Sequence, residues 1–212
     1  MPRPPAAARE ELLNETRTRL LEAAAEEIAQ HGFAAANINR ISTAAGFAKG
    51  TIYNYFNSKR ALMLALIEEI AKQHTAFIRG QVKAGSDPRE RLESFFRAGF
   101  AFVGQYPAQA RIAISIVYGH DEEFRNCIFD AYGELFALIG GDIFSAGVSQ
   151  GEFDPNDPDL ITGLLMCLYL GCCSILDPSG EVWFSAKQAA DFALEGIQLR
   201  NGVAAQKAGG EP

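Results

Sequence analysis

The residue types with the clearest chemistry lie in residues 32–60, GFAAANINRISTAAGFAKGTIYNYFNSKR. This segment contains no Asp or Glu and carries Arg40, Lys49, Lys59 and Arg60, although the net charge of the whole chain is −7. A stretch without carboxylates in an acidic protein favours contact with a polyanion, because phosphates are attracted to cations and repelled by carboxylates. The chemistry to expect from this segment is binding of nucleic acid.

The end of this segment has side chains suited to reading DNA. If residues 49–56 form a short helix, Ile52 and Phe56 lie four residues apart and face a small core. The residues left facing outwards are Lys49, Thr51, Tyr53, Asn54 and Tyr55. Lysine and tyrosine bind phosphate oxygens, whereas threonine and asparagine can read base edges. Gly50 leaves room for backbone N–H groups to approach a phosphate closely.

The helices that must position these side chains can be predicted from the apolar pattern and from the residues that cap or end each helix. An apolar face, which predicts a first helix from about residue 14, is formed by Leu20, Leu21, Ala24, Ile28 and Ala29. Gly32 stops that helix, and Asn37 caps a second one. Gly46 ends the second helix because glycine tolerates the left-handed conformation of a tight turn. In such a pair the helix after the turn enters the major groove, and the helix before it crosses the DNA backbone.

This segment resembles the DNA-binding domain of TetR-type repressors. That family's pattern has a Gly-aromatic start, a capped helix containing Ile, an Ala-Gly-apolar turn and a Lys-Gly-Thr-apolar-Tyr stretch. The matching positions are Gly32, Phe33, Ile41, Ala45, Gly46, Phe47, Lys49, Gly50, Thr51, Ile52, Tyr53, Tyr55, Phe56, Ser58, Lys59 and Leu62. Asn37 replaces the usual threonine and Ser42 the usual alanine; asparagine caps as well as threonine, and serine is a small-for-small change. The resemblance covers about the first 65 residues.

The helix start and stop signals along the chain predict an all-α fold of about nine helices, a number that matches the family. A three-helix helix-turn-helix domain would occupy residues 15–60, and a helical effector-binding and dimerisation domain residues 61–200. Residues 1–14 would be a flexible arm and residues 201–212 a flexible tail. Arg3 and Arg9 of the arm would either enter a minor groove or belong to a solvated tail.

The resemblance also implies a function: a homodimer that binds a near-palindromic double-stranded operator, most naturally as a repressor, and is released by a small effector. Lys49, Thr51, Asn54 and Tyr55 would then face bases. The predicted phosphate contacts are Tyr53, Lys59, and Asn37 or Asn39 at the start of the second helix, and Gly50 belongs to the same surface.

The rest of the chain is acidic and reads as helical throughout. Residues 1–60 hold eight Lys/Arg and six Asp/Glu, whereas the remainder holds 11 basic and 20 acidic residues and would repel DNA. Proline at the first helical position marks helix starts at Pro88, Pro107 and Pro158. Ser185 with Gln188 fits a capping box for the last helix.

After residue 89 the chain has more aromatic side chains than one buried face of each helix needs. This excess suggests an apolar pocket for a largely apolar or aromatic effector. The predicted lining is Phe96, Phe100, Phe102, Arg111, Ser115, Tyr118, Phe129, Tyr132 and Tyr169. The alternative is that aromatics at helical spacing are simple core. His74, His120 and Asn126 are further polar candidates, with a solvated or structural role as their alternative.

The uncharged run from residue 160 to 176 predicts a helix with small residues on one face. Those residues are Gly163, Cys167, Gly171 and Ser174, and with Phe192 of the last helix they predict a four-helix bundle across a two-fold axis. Close packing within one subunit is the alternative. The run is barely long enough to span a membrane and is flanked by Asp residues, so we expect a buried helix and no membrane contact.

The four cysteines show no CxxC spacing, and we expect reduced thiols in a cytoplasmic protein. The N-terminus has no apolar core for a signal peptide. Neighbouring Cys172 and Cys173 point about 100° apart on a helix and rarely share one ion, so we expect no metal and no cofactor.

The sequence leaves two alternatives to a transcriptional regulator. An enzyme or carrier would need catalytic groups, but the histidines stand in separate segments, with no Ser-His-Asp order, metal-ligand spacing or Gly-rich phosphate loop. The sequence therefore favours a protein that is not an enzyme. A dimerising interaction protein that has lost DNA binding is the third reading, and intact Lys49, Tyr53 and Lys59 weigh against it.

Overall fold

The computed structural model describes residues 6–82 and 87–197. Its elements are α1 Ala6–Ala35, α2 Ile38–Ala44, a 3-10 helix Thr51–Asn54 (the reading helix), α3 Lys59–Gln81, α4 Pro88–Gln105, α5 Pro107–Val117, α6 Glu122–Ala131, α7 Gly133–Ala137, a π-helical segment Leu138–Ser145, α8 Ala146–Ser149, α9 Pro158–Cys173 and α10 Ala186–Ile197. Within these ranges there is no β-strand, only an isolated antiparallel bridge between Leu176 and Val182. The run 133–149 is one continuous helix with a π-helical middle. The all-α prediction with about nine helices is confirmed.

None of the described helices is both long enough and apolar enough to cross a membrane.

The chain divides into two compact units. Of the described residues, the first unit holds 6–74 and 106–132, and the second holds 75–82, 87–105 and 133–197. The sequence placed the domain boundary at residue 60, whereas the structure groups α5 and α6 with the N-terminal helices. The reason is that α5 packs on α1 and buries Ala108 and Ile112, a contact between distant segments that no local pattern announces.

The local start and stop signals are confirmed. Asn37 Oδ1 accepts the N–H groups of Asn39 (2.9 Å) and Arg40 (3.3 Å) at the start of α2. Gly32 interrupts α1 with φ 76°, and Gly46 follows α2 with φ 82°. At α10 the capping box is complete, since the Ser185 N–H donates to Gln188 Oε1 and the Gln188 N–H donates to Ser185 Oγ.

Two predicted element bounds are wrong. α1 begins at Ala6, so residues 6–14, with Arg9, are helical where an arm was predicted. The cause is composition, because Ala, Arg, Glu and Leu are strong helix formers and dominate this stretch. The reading helix has four residues rather than eight, because Gly50 at φ 92° keeps residues 49–50 in the preceding turn. Arg3 and the predicted tail, 201–212, lie outside the described residues.

Aromatic residues dominate the core of the second unit. α4 packs on α10 and α9, and it buries Phe95, Phe96 and Phe102 to 2% exposure or less. A Cβ atom at Gly99 would lie 2.3 Å from the ring of Tyr169, so the α9 tyrosine packs directly on the α4 backbone. This close contact needs glycine, and it fixes the position of Tyr169 beside the phenylalanines of α4.

Candidate nucleic-acid interface and effector region

The reading helix has one buried and one exposed side. Ile52 is 1% exposed and the following Phe56 5%, whereas Tyr53 is 55% exposed. Lys49 and Asn54 are exposed, and Thr51 and Tyr55 are half-buried. The structure thus places Thr51, Tyr53 and Asn54 on the reading helix above a small core, with Lys49 in the turn before it and Tyr55 directly after it.

Two residues hold the turn before the reading helix. Ser42, fully buried in α2, accepts the Phe47 N–H with its backbone carbonyl (2.9 Å) and the Ile52 N–H with its hydroxyl oxygen (3.3 Å). From α1, Arg19 Nη2 donates to the Ala45 carbonyl at 2.8 Å, and its guanidinium lies 4.9 Å from the Phe47 ring centroid. Sequence reasoning missed Arg19, which stands 26 residues from its partner with no local signal.

The start of α2 is tied to α1 through Glu27. Its carboxylate accepts the Asn37 N–H (2.9 Å) and the Arg40 Nε–H (3.0 Å). The hydrogen bond from Arg40 is the main reason why the pKa of Glu27 is lowered, and the Asn37 N–H adds to it. Arg40 therefore has an internal carboxylate partner, while Asn37 and Asn39 remain exposed at the helix start, where a phosphate is favoured.

Lys59 opens α3 and contacts the end of α1. Its Nζ donates to the Ala34 carbonyl at 2.9 Å and lies 5.1 Å from the ring centroid of Phe33. An ammonium group has three donors, so this contact leaves donors for a phosphate oxygen. The side chain predicted to bind phosphate is thus also a structural link within the first unit.

Arg60 connects α3 to α6. It contacts the carboxylates of Asp121 and Glu123, and its guanidinium lies 4.5 Å from the Phe124 ring centroid. Asp121 is also the N-cap of α6, accepting the Phe124 N–H at 3.1 Å. The bond from Arg60, followed by that N–H, lowers the pKa of Asp121.

A groove of about 1090 Å³ lies beside this network in the first unit. Its carboxylates come from Glu68, Asp121, Glu122, Glu123 and Asp130, and the predicted polar candidates His120 and Asn126 line it too. Such a lining repels anions, so the groove does not suit DNA or an anionic effector.

The predicted pocket residues separate into two sets. In the first unit, Arg111, Ser115, Tyr118 and Phe129 are exposed, whereas Tyr132 is buried and its hydroxyl lies 2.9 Å from His74 Nδ1. Burial lowers the pKa of His74 to about 3, so the ring is neutral at physiological pH.

The second unit holds Phe96, Phe100, Phe102 and Tyr169. The Phe100 and Tyr169 rings stack with centroids 6.3 Å apart and an interplanar angle of 8°. Phe96 lies 5.9 Å from Phe100, and Phe102 contacts Phe77 at 5.7 Å. Phe100 also lines a cavity of about 490 Å³, together with Ala101, Gly104 and residues 179–182.

One face of α9 leaves apolar and small residues exposed. Leu160 and Leu164 are 58% and 57% exposed, and Phe192 of α10 is 69% exposed. Gly163 and Cys167 are exposed on the same stripe, Ser174 is exposed, and Gly171 is half-buried. A Cβ atom would meet nothing within 4 Å at Gly163 or Gly171, so the face offers both projections and recesses.

The thiols are free cysteines, and the described residues contain no cluster of three or more His, Cys, Asp or Glu able to hold a metal ion. Burial raises the pKa of Cys173 to about 12 and also raises that of Cys172. Both therefore behave as buried apolar residues of α9 rather than as reactive thiolates.

Solved structures of similar fold cover most of the chain. A fatty acid degradation regulator, FadR from Bacillus halodurans, superposes with a TM-score of 0.76 at 23% identity over 87% of this chain and 97% of that one. The transcriptional regulator FadR from Bacillus subtilis, solved in complex with stearoyl-CoA, gives a TM-score of 0.71 at 20% identity over 84% and 95% of the two chains. At these identities the likeness shows the fold.

Comparison of sequences also finds bacterial transcriptional regulators. The HTH-type transcriptional repressor KstR2 of Mycobacterium tuberculosis (strain H37Rv) is 27% identical over 150 residues, which cover 70% of this chain and 75% of KstR2. The model of a family described as bacterial regulatory proteins, tetR family, matches residues 20–66. That match spans α2, the turn that follows it and the reading helix. Residues 20–66 of this protein therefore form a DNA-binding segment of the TetR family of bacterial regulatory proteins.

Proposed function

We propose that this protein is a ligand-responsive transcriptional repressor. It binds a near-palindromic operator as a homodimer in the cytoplasm, is released by a small, largely apolar effector, and catalyses no reaction. The observation that carries the proposal is the reading helix, where exposed Tyr53 and Asn54 directly follow buried Ile52 in a segment without carboxylates. A helix with a fixed apolar side and an outward polar side is what a major groove accepts.

The contacts follow from side-chain chemistry. Lys49, Thr51, Asn54 and Tyr55 face bases. Tyr53, Lys59 and either Asn37 or Asn39 hold phosphates, with Gly50 allowing close approach. In the dimer the two reading helices lie about one turn of DNA apart, roughly 34–36 Å.

The dimer forms through α9 and α10. The stripe of Leu160, Gly163, Leu164 and Cys167 has projecting leucines next to open glycine positions, so two copies related by a two-fold axis can interlock. Gly171, Ser174 and Phe192 extend the same surface. Several strongly exposed apolar side chains on neighbouring helices are typical of a partner-binding face rather than of a monomer surface.

The effector site lies in the second unit beside Phe100 and Tyr169. Stacked aromatic rings next to a cavity of about 490 Å³ suit an apolar acyl or ring system. FadR of Bacillus subtilis was solved in complex with stearoyl-CoA, and we propose that the effector here likewise presents an apolar acyl group to this site. The effector shifts α3, which begins shortly after the reading helix and ends in the second unit, and so changes the spacing of the two reading helices in the dimer.

Selection of bound sequences from a random duplex library, at a fixed salt concentration, tests the DNA-binding proposal. We expect a palindrome to be enriched. A folded dimer that enriches no sequence, with and without added acyl-CoA, would overturn it.

The effector is tested by titrating stearoyl-CoA and isovaleryl-CoA with and without the selected operator. Because coupling is reciprocal, operator must weaken effector affinity, typically by about 5–150-fold. Equal affinities contradict induction by that ligand. Hydrolysis or other turnover of the thioester by the isolated protein would instead support the enzyme alternative.

A further inference from the structure

Ser42 is fully buried in α2, and its hydroxyl reaches outside its own helix to the backbone of the reading helix. We propose that Ser42 is a positioning residue that sets the orientation of the reading helix and thereby the sequence specificity of the protein. This inference rests on the proposed DNA-binding function.

The first argument concerns hydrogen bonds at the start of the reading helix. The first N–H groups of any helix lack partners within it. Thr51 N–H donates to the Ala48 carbonyl and Tyr53 N–H to the Gly50 carbonyl, both within the local turn. Ile52 N–H donates to Ser42 Oγ, a side chain ten residues earlier. Gly50, at the N-cap position, makes no side-chain cap.

The second argument concerns burial. Ile52 is 1% exposed and Ser42 is 0% exposed, so the bond between them is shielded from water. A buried N–H that loses its acceptor keeps the full penalty of desolvation, which is larger than the net value of an ordinary hydrogen bond. Without the hydroxyl, the backbone at Ile52 must therefore move towards another acceptor or towards solvent.

The third argument concerns geometry. A helix of four residues has few internal hydrogen bonds, so its attachments decide its direction. Ser42 holds residue 52, directly before the exposed Tyr53 and Asn54. Hydrogen bonds to base edges require donor–acceptor distances within a few tenths of an ångström. Charge attraction to phosphates falls off slowly and tolerates such a shift. Loss of the Ser42 hydroxyl should therefore weaken specific binding far more than non-specific binding.

Ser42→Ala tests the proposal, with Ser185→Ala as the matched control, since Ser185 caps α10 in the second unit. Affinity is measured for the selected operator and for an unrelated duplex at one salt concentration. We expect Ser42→Ala to lower operator affinity about tenfold and non-specific affinity less than twofold. Ser185→Ala should leave the ratio unchanged. A ratio unchanged in folded Ser42→Ala would overturn the proposal.

Ser42→Cys separates the hydrogen bond from side-chain volume, because a thiol is nearly as small but a weak acceptor. We expect it to behave like Ser42→Ala. Amide hydrogen exchange at Ile52, measured by NMR without DNA, gives an independent readout: it should become at least tenfold faster in Ser42→Ala relative to the amide of Leu66 in α3. Unchanged exchange overturns the positioning role. Failure of the wild type to prefer any DNA sequence would instead count against the proposed function, and the exchange experiment would still decide the role of Ser42.

Discussion

Arg60 donates two hydrogen bonds to the Asp121 carboxylate, 3.0 and 2.9 Å long, across 61 residues of sequence. Within the first unit the pair fastens the start of α3 to the N-terminus of α6. Asp121 has a second task there, since the same carboxylate accepts the Phe124 N–H. The two tasks can be separated by substitution.

We expect Asp121→Ala to destabilise the protein more than Asp121→Asn. Alanine removes both the helix cap and the ion pair, whereas asparagine keeps a capping oxygen and loses only the charge. The ion pair is exposed, so Asp121→Asn should be mild. Arg60→Gln should destabilise the protein somewhat more, because it also removes the contacts with Glu123 and Phe124, and the charge effects of both should shrink at high salt. Urea denaturation at low and high salt measures this order. Equal destabilisation by Ala and Asn would show that the cap contributes nothing.

Phosphate contacts should appear in the salt dependence of DNA binding. Lys59→Ala should reduce the slope of log K against log salt by about 0.9, because it removes one phosphate neutralisation. Lys72→Ala, an exposed lysine of α3 outside the predicted interface, is the control and should leave the slope unchanged.

Lys59→Ala should also lower the free energy of unfolding, since it removes the contacts with Ala34 and Phe33. A loss of stability without a change in salt slope would show that Lys59 is structural only.

Base reading by Asn54 should be confined to one position of the operator. Asn54→Ala should relax the preference at one base pair per half-site, by about 1–3 kcal/mol of discrimination. Tyr53→Ala should instead weaken binding to all sequences alike, because phosphates carry no sequence information. Repeating the duplex selection with each variant checks both outcomes, and the reverse pattern would exchange the two assignments.

The buried His74 predicts a pH dependence of stability. Its pKa is lowered by burial from 6.5 to about 3, so between these values the unfolded chain binds a proton that the folded protein does not. Stability from this group is present above pH 6.5 and falls by up to about 1.4 kcal/mol per pH unit as the pH drops towards 3.

Urea denaturation between pH 7 and 4 should show a steeper loss for the wild type than for His74→Gln. Carboxylates such as Glu27, whose pKa is also lowered, contribute equally to both proteins. Parallel curves would mean that His74 becomes protonated without unfolding.

Dimerisation through α9 and α10 predicts that one charge disrupts it. Leu164→Glu and Phe192→Glu should each yield monomers at micromolar concentration, because the carboxylate would be buried against its own copy. Tyr118→Glu is the control, since Tyr118 is 61% exposed in the first unit. Sedimentation equilibrium measures the association. Dimers that persist in both α9 and α10 variants would place the interface elsewhere.

The sequence by itself determined the helices and most of their ends. Asn37, Gly46 and the Ser185–Gln188 box act over at most a few residues, and periodicity reports only the local helix. The reading helix was recognisable for the same reason, because its motif is contiguous. The start of α1 was misjudged, since helix-forming residues before Asn14 were read as an arm.

Only the tertiary structure decided which distant groups meet. The sequence showed Ser42 only as a small-for-small change, and its bond to Ile52 depends on how the turn folds back. Arg19 and Arg60 find partners 26 and 61 residues away, and the predicted pocket residues divide between two units. Such contacts depend on how helices pack, whereas the sequence pattern records only neighbours along one helix. The sequence therefore revealed the reading helix, but not the distant side chains that hold it in place.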